Sequence, residues 1–215
     1  MNTFKNSDGK SILLKMVDVI QKNKDYLSEL DGLIGDGDHG INMNKGFTIF
    51  KDRFAEKDIS FSEGLNELGM VLFNEIGGSM GPIYGTVFIE MAERANSTKE
   101  IDLKLLSSML DAALEGLFSV VDARVGDKTL VDVLSPACNS LHQSLDKGEN
   151  LPQAMDNMKQ AALKGRDSTK DMIAKYGRSS RLGQRSRGVL DTGATSCNLI
   201  IGAIADGIKE IILYD

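Results

Sequence analysis

Apolar residues recur along this chain every three or four positions, which is the spacing of an α-helix with one buried side. The first such stripe contains Ile12, Leu13, Met16, Val17 and Ile20. Further stripes follow it to the C-terminus, and no segment shows the apolar–polar alternation of a half-buried strand. The sequence therefore predicts an all-α protein, with eight helices in chain order.

Capping residues and prolines mark several of the predicted helix ends. Ser60 and Glu63 form a capping box at the start of the third helix, and Asp102 is suited to cap the fifth. Pro82 suits the first turn of the fourth helix, whereas Pro136 lies inside the sixth and predicts a kink. We expect the first helix to end just before an acidic turn near residue 31, and the seventh to reach about residue 175.

Four connections stand out because glycines and charged or polar residues are concentrated in them: residues 35–42, 77–82, 126–129 and 177–193. They join helices one to two, three to four, five to six and seven to eight. In an antiparallel up-and-down bundle with short connections, these odd-numbered connections all lie at one end. The sequence therefore predicts a composite site at one end of the bundle, within a single domain that spans residues 1–215.

The acidic turn (residues 31–42) holds the densest group of chemically active side chains. It contains Asp31, followed by the run Gly35-Asp36-Gly37-Asp38-His39-Gly40-Ile41-Asn42. Carboxylates this close repel one another unless a cation lies among them, and hard oxygen ligands suit Mg²⁺ or Ca²⁺. Glycine lets the backbone approach a ligand closely. We therefore predict a divalent-metal site that holds phosphates.

The same residues fit other motifs less well. The pattern Gly35-x-Gly37-x-x-Gly40 matches the dinucleotide-binding fingerprint, but residues 28–34 do not form the buried strand that this motif requires. An EF-hand beginning at Asp36 would place Ile41 at its invariant glycine. A solvated turn that caps the following helix is the simplest alternative, and the additional Asp31, His39 and Asn42 favour the metal site over it.

Two other connections offer groups that suit phosphate. Gly77-Gly78-Ser79-Met80 presents backbone N–H groups at a helix start, where the helix dipole favours an anion; a tight turn for helix packing is the alternative. Gly126-Asp127-Lys128-Thr129 lacks the Gly-Lys-Thr adjacency of a Walker A loop. Thr129 is suited to cap the sixth helix. Lys128 is either a phosphate counter-charge or, as we favour for this residue alone, a solvated side chain.

The arginine loop (residues 177–193) carries four arginines in an acidic protein: Arg178, Arg181, Arg185 and Arg187. They indicate a phosphate clamp or a docking surface for an acidic partner, and a loop this long is typical of a functional lid. Asp191 is equally suited to cap the last helix and to contact a ligand. In the acidic turn, His39 is suited to orient a phosphate or a nucleotide hydroxyl, or is a hydrogen-bonded turn residue.

Composition mainly excludes function classes. The chain has 215 residues, of which 41% are hydrophobic and 26% charged, as in an ordinary globular protein. Its net charge of −6 argues against general binding to nucleic acid or a membrane surface. Cys138 and Cys197 fit no zinc or redox spacing, and neither a signal peptide nor a membrane span is predicted. We therefore expect a cytoplasmic protein with reduced thiols.

The four loop motifs together resemble those of the nucleotide-binding L subunit of dihydroxyacetone kinase. The resemblance is carried by Gly35-Asp36-Gly37-Asp38-His39-Gly40-Ile41-Asn42-Met43, Gly77-Gly78-Ser79-Met80-Gly81-Pro82-Ile83-Tyr84-Gly85, Gly126-Asp127-Lys128-Thr129 and Gly177-Arg178-Ser179-Ser180 with Leu182-Gly183 and Arg185-Ser186. They occur in that family's order and span nearly the whole chain. The resemblance implies an eight-helix antiparallel up-and-down barrel with the nucleotide site at one end.

The resemblance also implies a ligand set. Asp31, Asp36 and Asp38 match the aspartates that hold two Mg²⁺ ions against the nucleotide phosphates. The residues implied to bind ADP or ATP are His39, Gly40, Ile41, Asn42, Gly78, Ser79, Met80, Thr129, Leu130, Arg178, Asp191, Thr192 and Gly193. No residue of this chain is assigned a catalytic role.

The family works through partner subunits. A separate K subunit binds dihydroxyacetone and receives the phosphoryl group, and in the phosphotransferase-system branch an M subunit rephosphorylates the ADP. A free-standing L chain of this length resembles that branch. We therefore expect a phosphotransferase subunit that passes a phosphoryl group from bound nucleotide to dihydroxyacetone or a related ketose, and only with its partners. A nucleotide-sensing regulatory module and a metal-dependent phosphate-ester hydrolase remain as alternatives.

The chain departs from the family pattern at a few positions. Met80 stands where a second small residue is usual, and Arg181 where an aromatic residue is common. Near the last helix, where the family usually has His and Pro, this chain has Val189 and Thr192 among its residues. These differences concern the arginine loop, nucleotide exchange and partner fit, and they leave the metal aspartates unchanged.

Overall fold

The computed structural model describes residues 3–214. Their α-helices are α1 (Lys10–Lys22), α2 (Lys24–Ile34), α3 (His39–Phe54), α4 (Phe61–Glu75), α5 (Met80–Arg94), α6 (Leu103–Val120), α7 (Val131–Asp146), α8 (Leu151–Ser168) and α9 (Thr192–Tyr214). The strands are β1 (Thr3–Lys5) and β2 (Glu100–Asp102), and 3₁₀ turns cover Asn6–Gly9, Thr169–Asp171 and Arg178–Ser186. None of the helices in this range is both long and apolar enough to cross a membrane.

The helices form a closed barrel. Each helix packs against the one that follows it, and α9 returns to pack against α1, around a continuous apolar core. Within that core, Phe47 of α3 and Phe88 of α5 meet edge to face with ring centroids 6.3 Å apart. The predicted all-α, eight-helix antiparallel barrel is confirmed, with the first of the eight helices divided into α1 and α2.

The division lies at Asn23. Its side-chain Nδ2 donates to the carbonyl of Val19 at 2.8 Å, and its backbone has φ −103° and ψ 10°. Asparagine competes for helix carbonyls in this way, which interrupts the helix. The break lets α2 pack along α3 and bring Asp31, in the last turns of α2, to the acidic turn.

A short antiparallel ladder joins two distant segments. β1 pairs with β2, with Phe4 opposite Ile101 and both side chains buried. The prediction that no segment forms a strand was wrong here, because three-residue strands are too short to display an alternating pattern. The ladder holds the N-terminal segment against the connection between α5 and α6, at the far end of the barrel from the acidic turn.

α8 ends at Ser168, before the predicted end near residue 175. The Ser168 hydroxyl donates to the carbonyl of Gly165 at 2.7 Å, and that of Thr169 donates to the carbonyl of Arg166 at 2.6 Å. These hydroxyls compete with backbone N–H groups for the helix carbonyls, so the helix tightens into a 3₁₀ turn and stops. The chain then enters the irregular segment that leads to the arginine loop.

The predicted caps at Ser60 and Asp102 are confirmed, whereas Leu130 and not Thr129 precedes the first residue of α7. Ser60 Oγ accepts the backbone N–H of Glu63, and the Glu63 carboxylate accepts that of Ser60. Asp102 accepts a backbone N–H in the first turn of α6. Pro82 lies in the first turn of α5, and Pro136 lies inside α7. The local signals in the sequence therefore set these helix starts correctly.

α4 and α5 approach each other closely because glycines face one another at their contact. A Cβ on Gly69 would lie 2.9 Å from the Gly85 carbonyl oxygen, and one on Gly85 would lie 3.0 Å from the Gly69 carbonyl oxygen. Any larger residue at either position would force the two helices apart. The close contact holds the start of α5, with Ser79 and Met80, beside the end of α4.

Candidate functional site

The four glycine-containing connections meet around one cavity of about 510 Å³ at an end of the barrel, as the sequence predicts. A cavity of this size suits a small ligand such as a nucleotide. The predicted site residues that line it are Asp31, Asp36, Asp38, His39, Ser79, Met80, Thr129, Leu130, Arg178, Asp191, Thr192 and Gly193. The remaining predicted residues, Gly40, Ile41, Asn42 and Gly78, adjoin the lining residues in sequence but are not part of the walls.

Gly40 has a packing role. A Cβ at this position would overlap the carbonyl oxygen of Lys24 and crowd the Ser28 hydroxyl, so α2 rests directly on the first turn of α3. The side chain of Ile41 is on the surface, and the N–H of Asn42 donates to the carbonyl of Asp38 at 2.9 Å. Nucleotide binding by these residues stays a prediction.

The acidic turn gathers its three carboxylates as predicted. One oxygen each from Asp31, Asp36 and Asp38 lies within 4.8 Å of the others. The backbone N–H of Gly37, which has a positive φ of 79°, donates to Asp31 Oδ2 at 2.8 Å and so helps to fix that carboxylate. The turn thus presents several oxygen ligands to one small volume.

The electrostatics of these carboxylates favour a bound cation. Burial, followed by repulsion from Asp36 and Asp31, raises the pKa of Asp38 above its usual value. A cation among the three groups would relieve this repulsion, and an all-oxygen set suits Mg²⁺. The residues present therefore fit the divalent metal that the sequence predicts.

Arg178 supplies a positive charge at the same place. Its Nη2 lies 2.9 Å from Asp36 Oδ2. Arg181, Arg185 and Arg187 do not line the cavity, and Arg187 instead donates through Nε to the carbonyl of Asp171 at 2.7 Å. Within residues 3–214, Arg178 is the one arginine that lines the cavity, so a phosphate clamp formed by all four arginines is wrong for this structure, and the docking surface for an acidic partner stays a prediction.

His39 begins α3 and is almost completely buried. Its Nε2 lies 2.8 Å from the Ser196 hydroxyl on α9. Burial lowers the pKa of His39 to about 4, so the ring is neutral near pH 7. His39 is therefore a hydrogen-bonding group in the cavity wall and carries no charge to offer a phosphate.

The start of α5 forms another part of the wall. Ser79 precedes the helix and makes no side-chain capping bond, and Met80 is its first residue. The preceding loop turns at Gly78, with a positive φ of 73°. A helix start presents unpaired backbone N–H groups and the positive end of its dipole. This wall therefore suits an anion, as predicted.

The prediction that Lys128 is a solvated side chain was wrong. It is 1% exposed, and its ammonium donates to the carbonyls of Thr169, Met172 and Val189 at 2.7, 3.3 and 2.5 Å. Its backbone has a positive φ of 63°, which is uncommon for a residue other than glycine. Lys128 is thus buried and not solvated, and its ammonium fastens the chain at Thr169, Met172 and Val189. Because Lys128 also lines the cavity, its role as a counter-charge for phosphate stays a prediction.

Asp191 is both a cap and a cavity residue. Its Oδ2 accepts the backbone N–H of Ala194 at 2.7 Å in the first turn of α9, and its side chain lines the cavity. Burial raises the pKa of Asp191 to about 7, against the lowering effects of this hydrogen bond and of Lys128. The structure therefore shows the capping role, while the contact with a ligand stays a prediction.

An apolar part of the wall was missed from the sequence. Ile83, Tyr84, Val120, Val121 and Tyr176 line the cavity together with Met80 and Leu130. Tyr84 lies in one of the glycine motifs, and Val120 and Val121 precede the predicted connection at residues 126–129, so their positions offered a signal. The cavity thus has carboxylates in one wall and apolar side chains in another, which suits the phosphates and the base of a nucleotide.

A larger groove lies elsewhere. It has a volume of about 690 Å³ and runs between α1, α8 and α9. Four of its charged groups already form pairs across it: Lys15 with Glu210 at 2.8 Å and Lys159 with Asp206 at 2.6 Å. The smaller cavity is the better candidate, because its converging carboxylates, helix start and arginine are the groups that bind a charged ligand.

Comparison with known proteins agrees with this geometry. A profile of the DAK2 domain family matches residues 33–206. The chain is similar to the ADP-binding subunit DhaL of PEP-dependent dihydroxyacetone kinase 1 from Listeria innocua, with 41% identity over 186 residues that cover 86% of this chain and 88% of that one. It is also similar to the ADP-binding subunit DhaL of the PEP-dependent dihydroxyacetone kinase of Escherichia coli, with 37% identity over 201 residues that cover 92% and 95%.

Solved structures share the fold. The native dihydroxyacetone kinase of C. freundii matches 92% of this chain with a TM-score of 0.69 and 21% identity. The same kinase in complex with AMP-PNP and Mg²⁺ matches 92% of this chain with a TM-score of 0.65 and 20% identity. This chain spans about a third of that kinase, 34% and 33% of the two chains.

Proposed function

This chain belongs to the DAK2 domain family, and on that premise we propose that it is the nucleotide-binding subunit of a dihydroxyacetone kinase. The subunit holds ADP or ATP with Mg²⁺, and it passes a phosphoryl group to dihydroxyacetone or a related ketose on a partner K subunit. A phosphotransferase-system M subunit then restores ATP from the bound ADP. The names of the two DhaL relatives, each an ADP-binding subunit of a PEP-dependent kinase, support this proposal.

One observation carries the proposal: the cavity is polar in one wall and apolar in another. Three carboxylate oxygens within 4.8 Å of one another suit two Mg²⁺ ions and, through them, the phosphates. The start of α5 adds backbone N–H donors. The apolar wall around Leu130 and Val121 accommodates the base. The whole chain serves as one nucleotide-binding domain in this proposal.

The residues of this chain position the phosphates and neutralise their charge. Phosphoryl transfer proceeds through a loose transition state, so catalysis depends mostly on alignment and electrostatics. Bound Mg²⁺ would neutralise charge on the transferring group, and Asp31, Asp36 and Asp38 would hold it. Arg178, now paired with Asp36, would turn to the nucleotide phosphates. No side chain of the cavity is needed as a covalent carrier.

The hydrolase alternative is weaker. It requires a base beside the metal to activate water, and His39 is the suited residue in the acidic turn. Burial lowers the pKa of His39 to about 4, and a base this weak takes a proton from water poorly near neutral pH. The geometry therefore favours transfer to an acceptor supplied by a partner over hydrolysis.

Isothermal titration calorimetry tests the proposal. ADP should bind in the presence of Mg²⁺ and lose measurable affinity in EDTA or in Asp36→Asn and Asp38→Asn. Asp25→Asn is the matched control, because Asp25 lies on α2 with its side chain 91% exposed and outside the cavity walls. Equal ADP affinity in EDTA and in Mg²⁺ would contradict the proposal. Mass spectrometry of the gently purified protein checks independently for retained ADP.

A further inference from the structure

A buried hydrogen-bonded cluster connects the acidic turn to α5 and α9. Ser196 Oγ lies 2.8 Å from His39 Nε2, 2.7 Å from the Tyr84 hydroxyl and 3.1 Å from the Gly193 carbonyl oxygen. The Tyr84 hydroxyl lies 3.0 Å from the same carbonyl oxygen. Ser196 is 0% exposed and Tyr84 is 3% exposed. These four groups therefore exchange hydrogen bonds without help from bulk water.

The number of hydrogen atoms available in this cluster indicates which ring nitrogen of His39 is protonated. Ser196 and Tyr84 have one hydroxyl hydrogen each, and the carbonyl of Gly193 can only accept. If Nε2 carried no hydrogen, Ser196 would have to donate to it. The Tyr84 hydrogen could then serve either Ser196 or Gly193, so two of the four close contacts would hold no hydrogen: the Ser196–Gly193 contact in both cases, together with one contact of Tyr84. Such contacts between oxygen atoms are repulsive.

The opposite assignment removes this conflict. With a hydrogen on Nε2, the ring donates to Ser196, and the two hydroxyl hydrogens are free to serve the Ser196–Tyr84 contact and the Gly193 carbonyl. Three of the four close contacts then hold a hydrogen. The cluster thus favours the neutral ring form with hydrogen on Nε2, in which Nδ1 is an acceptor.

Nδ1 is the nitrogen left for a ligand. Within residues 3–214, Nδ1 has no hydrogen-bond partner. The side-chain atoms that are fully buried without a partner are in Ser28 and Ser107, so Nδ1 is not one of them and can be reached by a ligand. His39 also lines the cavity. We propose that Ser196 is a positioning residue, which holds His39 with hydrogen on Nε2 so that Nδ1 accepts a hydrogen bond from an O–H group in the nucleotide cavity.

This acceptor selects the chemistry of its ligand. An unprotonated nitrogen repels a phosphate oxygen, because both carry lone pairs, whereas it binds any hydroxyl or water that donates. Two sources of such a donor fit the cavity: a sugar hydroxyl of the nucleotide and a water molecule on a bound Mg²⁺ ion. Of the two ligand groups predicted for His39 from the sequence, the hydroxyl is therefore favoured over the phosphate. The identity of the donor rests on the proposed function; the ring form does not.

Nitrogen-15 NMR of the histidine rings tests the ring form in the protein without nucleotide. The chain has only two histidines, so His142→Gln leaves His39 as the single imidazole signal. At about pH 8, above the ordinary histidine pKa, Nε2 should resonate as a protonated nitrogen and Nδ1 as an unprotonated one. Hydrogen on Nδ1 would overturn the inference.

Two variants in the same background separate positioning from packing. Ser196→Ala removes the acceptor of the Nε2 hydrogen. A substantial fraction of the His39 rings should then be protonated on Nδ1, where water in the cavity can accept the hydrogen bond. Tyr84→Phe is the matched control, because Ser196 can still donate to Gly193 and accept from Nε2; its ring should keep the hydrogen on Nε2. Unchanged ring signals in Ser196→Ala would show that Ser196 does not position the ring.

Titration then identifies the O–H donor. A shift of the Nδ1 signal with Mg²⁺ alone indicates metal-bound water. A shift only with Mg-ADP, lost with ADP that lacks the 2′ or the 3′ hydroxyl, indicates the sugar. If calorimetry shows saturation with Mg-ADP and Nδ1 does not shift in any arm, the ligand contact is wrong. Absence of ADP binding in calorimetry would instead contradict the proposed function and leave the measured ring form in place.

Discussion

The guanidinium of Arg178 lies 2.9 Å from the carboxylate of Asp36, and this ion pair joins the arginine loop to the acidic turn. The two side chains are 62% and 34% exposed. An exposed pair of this kind contributes only about 0–1 kcal/mol, so a divalent ion displaces it readily. Arg178 therefore occupies the position of a cation beside the predicted metal ligands, and we expect it to leave when a metal binds.

Displacement of Arg178 by a metal ion predicts a different rate of proteolysis in the arginine loop under each of three conditions. Trypsin should cleave at Arg181 or Arg185 at a moderate rate in EDTA, where Arg178 holds Asp36. Cleavage should be faster with Mg²⁺ alone, because the metal frees Arg178, and slowest with Mg-ADP, because the phosphates order the loop. Mass spectrometry of the fragments over time measures these rates.

Arg178→Gln provides the control for this prediction. Without the guanidinium, cleavage at Arg181 and Arg185 should no longer respond to Mg²⁺ alone, although Mg-ADP still binds through the aspartates. Equal cleavage of the wild-type chain in all three conditions would show that the arginine loop is not a ligand-ordered lid.

Ketose phosphorylation should require a second subunit. The cavity offers carboxylates, helix N–H groups and one arginine, which suit a nucleotide, and in-line transfer needs the acceptor oxygen held at about 3 Å. We expect no multiple turnover from this chain with Mg²⁺, ATP and dihydroxyacetone until a ketose-binding subunit is added. Robust turnover by the chain alone would identify a self-contained kinase.

The exposed Arg181 tests where that partner docks. It lies outside the cavity, so Arg181→Glu should weaken partner-dependent activity at least severalfold while ADP affinity in calorimetry stays within about twofold of wild type. Lys104→Glu is the matched control, since Lys104 is exposed at the start of α6, away from the cavity. Equal effects of the two charge reversals would remove the arginine loop as the docking surface.

Gly40 and Gly32 should respond oppositely to the same substitution. A Cβ on Gly40 would overlap the Lys24 carbonyl and force α2 away from α3, so Gly40→Ala should lower the free energy of unfolding by about 2–3 kcal/mol. Gly32 lies inside α2 with no atom within 4 Å of its Cβ position, so Gly32→Ala should raise stability by about 0.5–1 kcal/mol. Urea unfolding measures both.

The Gly40 variant also tests the site. Because α2 carries Asp31 and α3 follows Asp38, separating these helices should weaken Mg-ADP binding in Gly40→Ala and leave it unchanged in Gly32→Ala. A Gly40→Ala protein with wild-type stability would show that this contact is not tight in solution.

His39 should make stability depend on pH. Burial lowers its pKa from 6.5 to about 4, so between these values the unfolded chain binds a proton that the folded chain does not. The free energy of unfolding therefore falls as the pH drops from about 7 to about 4, by up to about 3 kcal/mol from this residue. Denaturant titrations in EDTA over this range should show the loss, and His39→Gln should reduce it.

Asp191 changes the free energy of unfolding with pH in the opposite direction to His39. Burial raises its pKa from 3.8 to about 7, so the folded chain binds the extra proton and gains stability as the pH falls through this range. The informative quantity is therefore the difference in slope between wild type and His39→Gln. His142→Gln is the control, because His142 is exposed and pairs with Asp111 on the surface. Identical slopes for the wild type and His39→Gln would contradict the neutral, buried ring.

Local signals in the sequence predicted most of the fold. The apolar stripes gave the helices, and the capping box at Ser60 and the cap at Asp102 gave helix starts, because these signals act between residues three or four positions apart. The break at Asn23 and the end of α8 at Ser168 depend on side-chain hydrogen bonds that compete only weakly with a helix. The β1–β2 ladder pairs segments too far apart for a local pattern to reveal.

In the candidate site, too, some residues could be predicted from local sequence and others could not. The aspartates and glycines of the acidic turn were predictable because they crowd into one short run of sequence. Lys128 was not, because its acceptors at Thr169, Met172 and Val189 come from a segment whose path a sequence does not specify. The contact between Tyr84 and Ser196 likewise joins helices that only the closed barrel brings together.

The hydrogen bonds of Lys128 make the arginine loop a replaceable module. They fasten the chain at Thr169 and Met172 on one side and at Val189 on the other, so the part of the arginine loop that precedes Val189 lies between fixed points. Arg178, Arg181 and Arg185 lie on the exposed part between those points. If a partner docks on this part, as the Arg181→Glu experiment tests, we expect that substitution or lengthening around Arg181 and Arg185 changes which partner the barrel recognises and leaves the fold of the barrel unchanged.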